Sequence, residues 1–294
     1  MIQKIIPHLW FDKEAAEAAQ LCTKLFEDSQ ISSISTIPDT PSGDAEIVDF
    51  RLAGIRFMAI SAGPYFTFNP SVSLMVACST KEDVDRLYHE LIVGGTELMP
   101  LGEYPFSKWF AWIQDRYGLN WQLMLTENAQ AIQKIRPTLL FSGEACGKAE
   151  EAIDYYVSVF ADSNKGFVNR YAEGEAMDSR AKINYGELNL LGNQFIAMDH
   201  GYGADFTFNE AFSFVILCEN QQQIDDYWDK LSFVPEAEQC GWVKDQFGVS
   251  WQIVPRVLND TLASGTKEEV KRVTEAFLKM KKLDIAEIEK ARLG

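Results

Sequence analysis

The chain has 294 residues, 47% of them hydrophobic and 24% charged, which excludes a disordered chain and gives enough apolar surface for about two domains. Lys and Arg number 27 against 43 Asp and Glu, a net charge of −16 that argues against nucleic acid as a partner, because phosphate binding draws on clustered cations. No apolar run has the ~18 residues of a membrane span, and the N-terminus lacks the pattern of a secretion signal, so the expectation is a cytoplasmic protein that does not engage a membrane. Five cysteines (Cys22, Cys78, Cys146, Cys218, Cys240) form no Cys-x-x-Cys pair and read as reduced thiols, with no zinc cluster.

The elements alternate in a fixed order. A strand over 4–11 leads to an alanine-rich helix, Glu14 to Phe26, with Ala18, Leu21, Cys22 and Leu25 at helical spacing. Strands follow near 31–37, 46–53 and 55–61, the last after the turn glycine Gly54. A strand over 72–78 then opens a second round. Thr80 caps a helix running to about Ile92, and strands return near 96–101, 108–114 and 119–125. The last two are joined by Asp115-Arg116-Tyr117-Gly118, a turn that glycine closes.

The whole pattern is then written again. Phe66-Thr67-Phe68-Asn69 recurs as Phe206-Thr207-Phe208-Asn209, an offset of 206 − 66 = 140. Each copy runs into an apolar strand ending in cysteine, at Cys78 and Cys218. Gly118-Leu119-Asn120-Trp121-Gln122 matches Gly248-Val249-Ser250-Trp251-Gln252 at 251 − 121 = 130, so the first copy carries about ten extra residues, near Pro100–Pro105. Ile5-Ile6-Pro7-His8 pairs with Ile135-Arg136-Pro137-Thr138. Matched landmarks in one order imply two homologous domains, 1–126 and 132–256. Each is read as βαβββ twice, four modules in an α+β chain. Residues 257–294 have no counterpart and read as a C-terminal amphipathic helical tail, opened by the capping boxes at Thr266 and Asp284, with Val270, Val273, Phe277 and Met280 on one face.

Tandem βαβββ modules ending in Asp-x-x-Gly-x-x-Trp-Gln resemble the vicinal oxygen chelate superfamily of glyoxalase I, extradiol dioxygenases and bleomycin-resistance proteins. The resemblance is closest to its PhnB-like branch, labelled demethylubiquinone 3-methyltransferase. It rests on Phe208-Asn209-Glu210-Ala211, Cys240-Gly241-Trp242 and Lys244 through Pro255, with Met280–Ile285 similar to the end of single-domain members. The first copy departs from it where Phe110-Ala111-Trp112 stands in place of Cys-Gly-Trp. The resemblance implies glyoxalase/bleomycin-resistance-like domains, each curling two modules around a cavity, with metal-dependent members holding a divalent ion on His and Glu from four strand positions. Those positions fall on Pro7 and Pro137 (or, one residue on, His8 and Thr138), on Ala59 and Ala197, on Ser73 and Ser213, and on Gln122 and Gln252. Proline and alanine offer no lone pair and neutral Ser or Gln oxygens are weak ligands for a transition metal, so no metal and no cofactor are expected. His89 reads as a surface residue and His200, beside Asp199, as a loop residue.

The candidate ligand-binding residues are Ser213, Gln252, Cys240, Trp242 and Asn209, with Ser73, Gln122 and Trp112 in the first copy. A cavity of tryptophans with a few polar tips suits a small apolar or aromatic organic ligand. Cys240 has Lys244 and Asp245 shortly after it but no histidine close in sequence, so it reads as an inert thiol, and Gly241 gives room for a ligand or a neighbouring chain against the backbone. A methyl-transfer cofactor calls for a Gly-rich loop after a first strand, and neither Gly94-Gly95 nor Gly201-Tyr202-Gly203 is placed as one. The expected function is metal-independent binding of a small molecule, in sequestration, resistance or an enzyme role; the alternative is a metal-dependent lyase or dioxygenase. Relatives that pair to complete their sites make a homodimer compatible with the sequence.

Overall fold

The computed structural model describes residues 3–127 and 129–294. Module one is β1 (Ile5–Phe11), α1 (Ala15–Leu25), β2 (Gln30–Thr40), β3 (Gly43–Leu52) and β4 (Ile55–Ser61). Module two is β5 (Val72–Cys78), α2 (Lys81–Leu91), β6 (Thr96–Tyr104), β7 (Ser107–Gln114) and β8 (Asn120–Leu125). Module three is β9 (Ile135–Phe141), α3 (Ala149–Val159), β10 (Asn164–Arg170), β11 (Ile183–Leu190) and β12 (Asn193–Asp199). Module four, β13 (Phe212–Cys218), α4 (Gln221–Leu231), β14 (Trp242–Lys244) and β15 (Ser250–Pro255), has two strands after its helix rather than the three read from the sequence. The ten extra residues of the first copy explain the difference, since they build β6 and its turn into β7. The tail forms α5 (Arg256–Ser264), α6 (Lys267–Phe277) and α7 (Ile285–Leu293).

The compact units are not the sequence repeats. Unit 1 is 1–67 with 209–294 and unit 2 is 68–208, so each sheet takes one module from each repeat. Unit 1 holds the strand order β14-β15-β13-β1-β4-β3-β2, and unit 2 holds β10-β11-β12-β9-β5-β8-β7-β6. The joints are antiparallel pairs of module-opening strands, β1 with β13 and β9 with β5. Burying both faces of β1, β5, β9 and β13 fits their predominantly apolar sequences.

Helices α1 and α4 cover one face of the unit 1 sheet, and α2 and α3 one face of the unit 2 sheet. Fully buried Trp251 and Trp121 lie on those helix-covered faces. The motif Asp-x-x-Gly-x-x-Trp is a structural knot in both units. Asp115 accepts from the Tyr117 and Leu119 amides at 2.9 and 3.0 Å and from Trp121 Nε1 at 2.9 Å. Asp245 does the same with Phe247, Val249 and Trp251, at 2.9, 3.0 and 2.8 Å. Burial pushes Asp115 up to about 6 despite those donors. None of the helices among the described residues is long and apolar enough to cross a membrane.

Candidate functional site

The other face of each sheet, called the inner face here, carries the candidate residues. Side chains alternate along a strand, so Ile6, His8 and Trp10 point inward while Pro7 and Leu9 turn to the helix side. In unit 1 His8 lies opposite Ser213 and beside Met58. Gln252 lies beside Val215 and opposite Trp242. Gln252 Nε2 donates to Ser213 Oγ at 3.0 Å, and that hydroxyl is 3.5 Å from His8 Nδ1. Trp242 packs edge-on against His8 and Trp10, with ring centres 5.8 and 6.2 Å apart. Burial without a countercharge lowers His8 to about 3, so its imidazole is neutral at pH 7.

In unit 2 the matching positions are Thr138, opposite Ser73, and Gln122, opposite Trp112. Gln122 Nε2 donates to Ser73 Oγ at 2.8 Å, repeating the Gln–Ser pair of unit 1. The structure thus gathers Ser213, Gln252 and Trp242 on one inner face and Ser73, Gln122 and Trp112 on the other.

Strand register settles one alternative left by the sequence and corrects another position. Of the alternatives at the first strand, His8 and Thr138 point inward and the prolines do not. Ala59 and Ala197 pair with Leu9 and Leu139 on the helix side, and Met58 and Ile196 stand inward beside His8 and Thr138 instead. One residue along a strand exchanges the two faces. His8, Ser213, Gln252, Ser73 and Gln122 are all buried. Two open depressions, of about 420 and 460 Å³, lie elsewhere, around Ala129 and around Asp44, and none of the candidate residues lines them.

Asn209 and Cys240 serve the backbone. Asn209 Nδ2 donates to Thr67 O at 2.9 Å while its Oδ1 accepts from the Ala211 amide, also at 2.9 Å. Asn69 makes the same two bonds in unit 2, to Thr207 O and from Ser71. The amides of Cys240 and Gly241 donate to Met280 O and Lys281 O in the tail, at 2.9 and 2.8 Å. A Cβ on Gly241, whose φ is +86°, would come within 2.8 Å of Ile253 O and 3.0 Å of Leu283 Cδ1. The segment that approaches this glycine is the chain's own tail. That accounts for the glycine at 241, where the first copy has Ala111.

The tail lies on the inner face of unit 1. Leu258, Val273, Phe277, Leu283 and Ile288 form a core with Ile37, flanked by Ile47 and Val254 from the same face. Arg56 bonds Asp49 through Nε at 2.8 Å and through Nη2, and Nη2 also reaches Asn259 of α5 at 3.2 Å.

Unit 2 has a charged group there that sequence reasoning missed. Arg136, at the place of Ile6, is 2% exposed. Its Nη1 donates to Tyr185 Oη at 3.1 Å and Glu187 Oε1 at 3.2 Å, and Tyr185 in turn donates to Glu187 at 2.8 Å. Burial pushes the Tyr185 phenol up to about 12, which keeps that proton in place. The available signal was an arginine within an apolar strand whose sister strand has isoleucine.

The donors do not fit a divalent transition ion. Unit 1 offers one imidazole with Met, Ser and Gln, and unit 2 offers Thr, Ile, Ser and Gln. Among the described residues no three His, Cys, Asp or Glu side chains gather as ligands. His200 is half-buried and lowered by that burial; its neighbour Asp199 spends its carboxylate on the amides of Gly147, Ala149, Lys182 and Ile183. His89 is exposed.

A family model described as 3-demethylubiquinone-9 3-methyltransferase matches twice, over residues 3–124 and 133–254. A solved structure from Bacillus cereus, a "Putative 3-demethylubiquinone-9 3-methyltransferase, PhnB protein", is 43% identical over 42% of this chain and 100% of its own, with a TM-score of 0.40. Glyoxalase I from Zea mays aligns over 83% of this chain and 89% of its own at 9% identity and a TM-score of 0.52, a likeness of fold. A putative dioxygenase from Bacillus subtilis aligns over 97% of this chain and 94% of its own, at 11% identity and a TM-score of 0.49. No curated protein matches the chain.

Proposed function

Because the chain belongs to the family described as 3-demethylubiquinone-9 3-methyltransferase, the PhnB-like branch of the vicinal oxygen chelate superfamily, in two tandem copies, we propose that it binds a small apolar or aromatic organic molecule without a metal ion. The observation that carries this reading is the repeated neutral pair, Gln252 on Ser213 and Gln122 on Ser73, set among tryptophan and methionine side chains at metal-ligand positions of the superfamily. A neutral amide and hydroxyl orient a ligand by hydrogen bonds and attract no cation. Methyl transfer finds no support in the chain, which lacks a Gly-rich loop between a first strand and its helix.

Two measurements test the reading together. Elemental analysis of protein purified without chelator is expected to find no stoichiometric transition metal; one equivalent would favour the lyase or dioxygenase alternative. Titration with a panel of aromatic molecules, followed by tryptophan fluorescence, is expected to saturate for at least one of them. A flat response across the panel overturns the proposal.

A further inference from the structure

Building on that binding reading, we propose that the inner face of unit 2 holds a carboxylate-bearing ligand on the Nε–Nη2 edge of Arg136. A guanidinium presents parallel N–H groups along each edge, and a carboxylate matches such an edge with two hydrogen bonds. Glu187 and Tyr185 engage only Nη1. On the other edge, Nη2 faces Met75 Sδ at 3.9 Å, and Nε is buried with no hydrogen-bond partner. A thioether is a weak acceptor on a flexible side chain, easily displaced by an oxyanion.

Unit 1 displays what this edge takes when it is filled. There Nε and Nη2 of Arg56 both bond the Asp49 carboxylate. Asp49 and Glu187 hold matching positions, opposite Met58 and Ile196. The two arginines come from different strands, however, and Glu187 reaches the Nη1 side of its partner. The acid that would complete Arg136 as Asp49 completes Arg56 is therefore not supplied by that position.

A second donor on the same face also lacks a partner. Arg136 lies opposite Met75, Met75 beside Gln122, and Gln122 opposite Trp112, a row crossing four strands. Trp112 Nε1 is buried with no hydrogen-bond partner. Buried donors are seldom left unpaired, because they forfeit their bonds to water. Two such donors at the ends of one row, with methionine and glutamine between, fit a ligand with a carboxylate at one end and an apolar body toward Trp112.

The test uses the full chain and three probes of one shape: phenylacetate, phenylacetamide and phenylphosphonate. Calorimetry is expected to give phenylacetate at least tenfold tighter than the amide and tighter than the phosphonate. Arg136→Ile is expected to abolish the preference for the acid over the amide, and Arg136→Lys, which keeps the charge and loses the fork, to weaken the acid at least fivefold. Because removing a buried cation can cost folding, the Arg136 Nε–H resonance of the unaltered protein is followed as well; it should shift with phenylacetate and not with the amide. Equal binding of acid and amide, or an unmoved Nε–H signal, overturns the carboxylate site while leaving small-molecule binding intact. Tighter binding of the phosphonate overturns the choice of carboxylate. No binding of any probe, with a flat aromatic panel, overturns both proposals.

Discussion

The inner faces of the two units start from the same plan and end differently. Each has its module-opening strands paired antiparallel, a Gln–Ser hydrogen bond and an Asp–Trp knot under the last strand. Unit 1 adds a helical tail over part of its inner face, a neutral histidine and an arginine whose carboxylate edge is filled. Unit 2, residues 68–208, has no such tail among its described residues, and the Nε–Nη2 edge of its buried arginine meets only Met75 Sδ. Duplication supplied two scaffolds of one kind, and the difference is what a face becomes when the chain's own tail occupies it. Part of the unit 1 face is covered by the tail, while on unit 2 the Nε of Arg136 and the Nε1 of Trp112 are buried without hydrogen-bond partners.

The largest effect that would break this contrast comes from the tail. Leu283 is fully buried between Gly241 and the tail core. Leu283→Ala is expected to cost about 2–5 kcal/mol, the range for a buried leucine truncated in a packed core. Gly241→Val forces a branched side chain onto a positive φ and into Ile253 O, and is expected to be at least as damaging. Hydrogen exchange should accelerate in β1, β13 and β15 and stay slow in β5 and β8. Equal loosening of both units would show that the tail does not belong to unit 1 alone.

His8 gives the next effect. Its folded value is depressed to about 3 against an ordinary 6.5, so the unfolded chain binds the extra proton between those limits. The stability held by neutral His8 is therefore present above pH 6.5 and lost as pH falls toward 3, at up to about 1.4 kcal/mol per pH unit. His8→Thr, which copies Thr138, should flatten that limb of the stability–pH curve measured in urea. An unchanged limb would mean that His8 is hydrated and titrates normally.

How much of this was legible in the sequence follows from the scale of each interaction. Strand and helix positions, the duplication and the capping at Thr80, Thr266 and Asp284 were readable because they depend on local periodicity and near-neighbour hydrogen bonds. Helix α5 was not anticipated: it begins at Arg256, directly after β15, with no side-chain cap to mark its start. The pairing of module one with four and two with three is a choice between strand edges with equivalent apolar character, and nothing within one module specifies it. Ser213, Gln252, Ser73 and Gln122 were singled out because both copies agree on them. Arg136 was passed over because the copies disagree there. The function of Gly241 depended on a tail segment some forty residues downstream, reached only through the fold.

The smallest effect separates the two Gln–Ser pairs. Ser213 Oγ accepts from Gln252 and contacts His8, whereas the corresponding hydroxyl at Ser73 accepts from Gln122 and faces Thr138, not an imidazole. Removing either hydroxyl strands a buried amide donor, a loss of about 1–3 kcal/mol. Ser213→Ala should lie toward the upper end of that range because His8 loses a polar neighbour too, and Ser73→Ala toward the lower end. Trp112→Phe, which deletes a donor with no partner, should change stability by less than about 1 kcal/mol, since the buried penalty disappears along with some ring contact. Urea midpoints of the three variants at pH 7 give the order directly. If Trp112→Phe proved the most damaging of the three, its indole nitrogen would have to be satisfied within the folded chain, and the row of unspent donors on unit 2 would shrink to Arg136 alone.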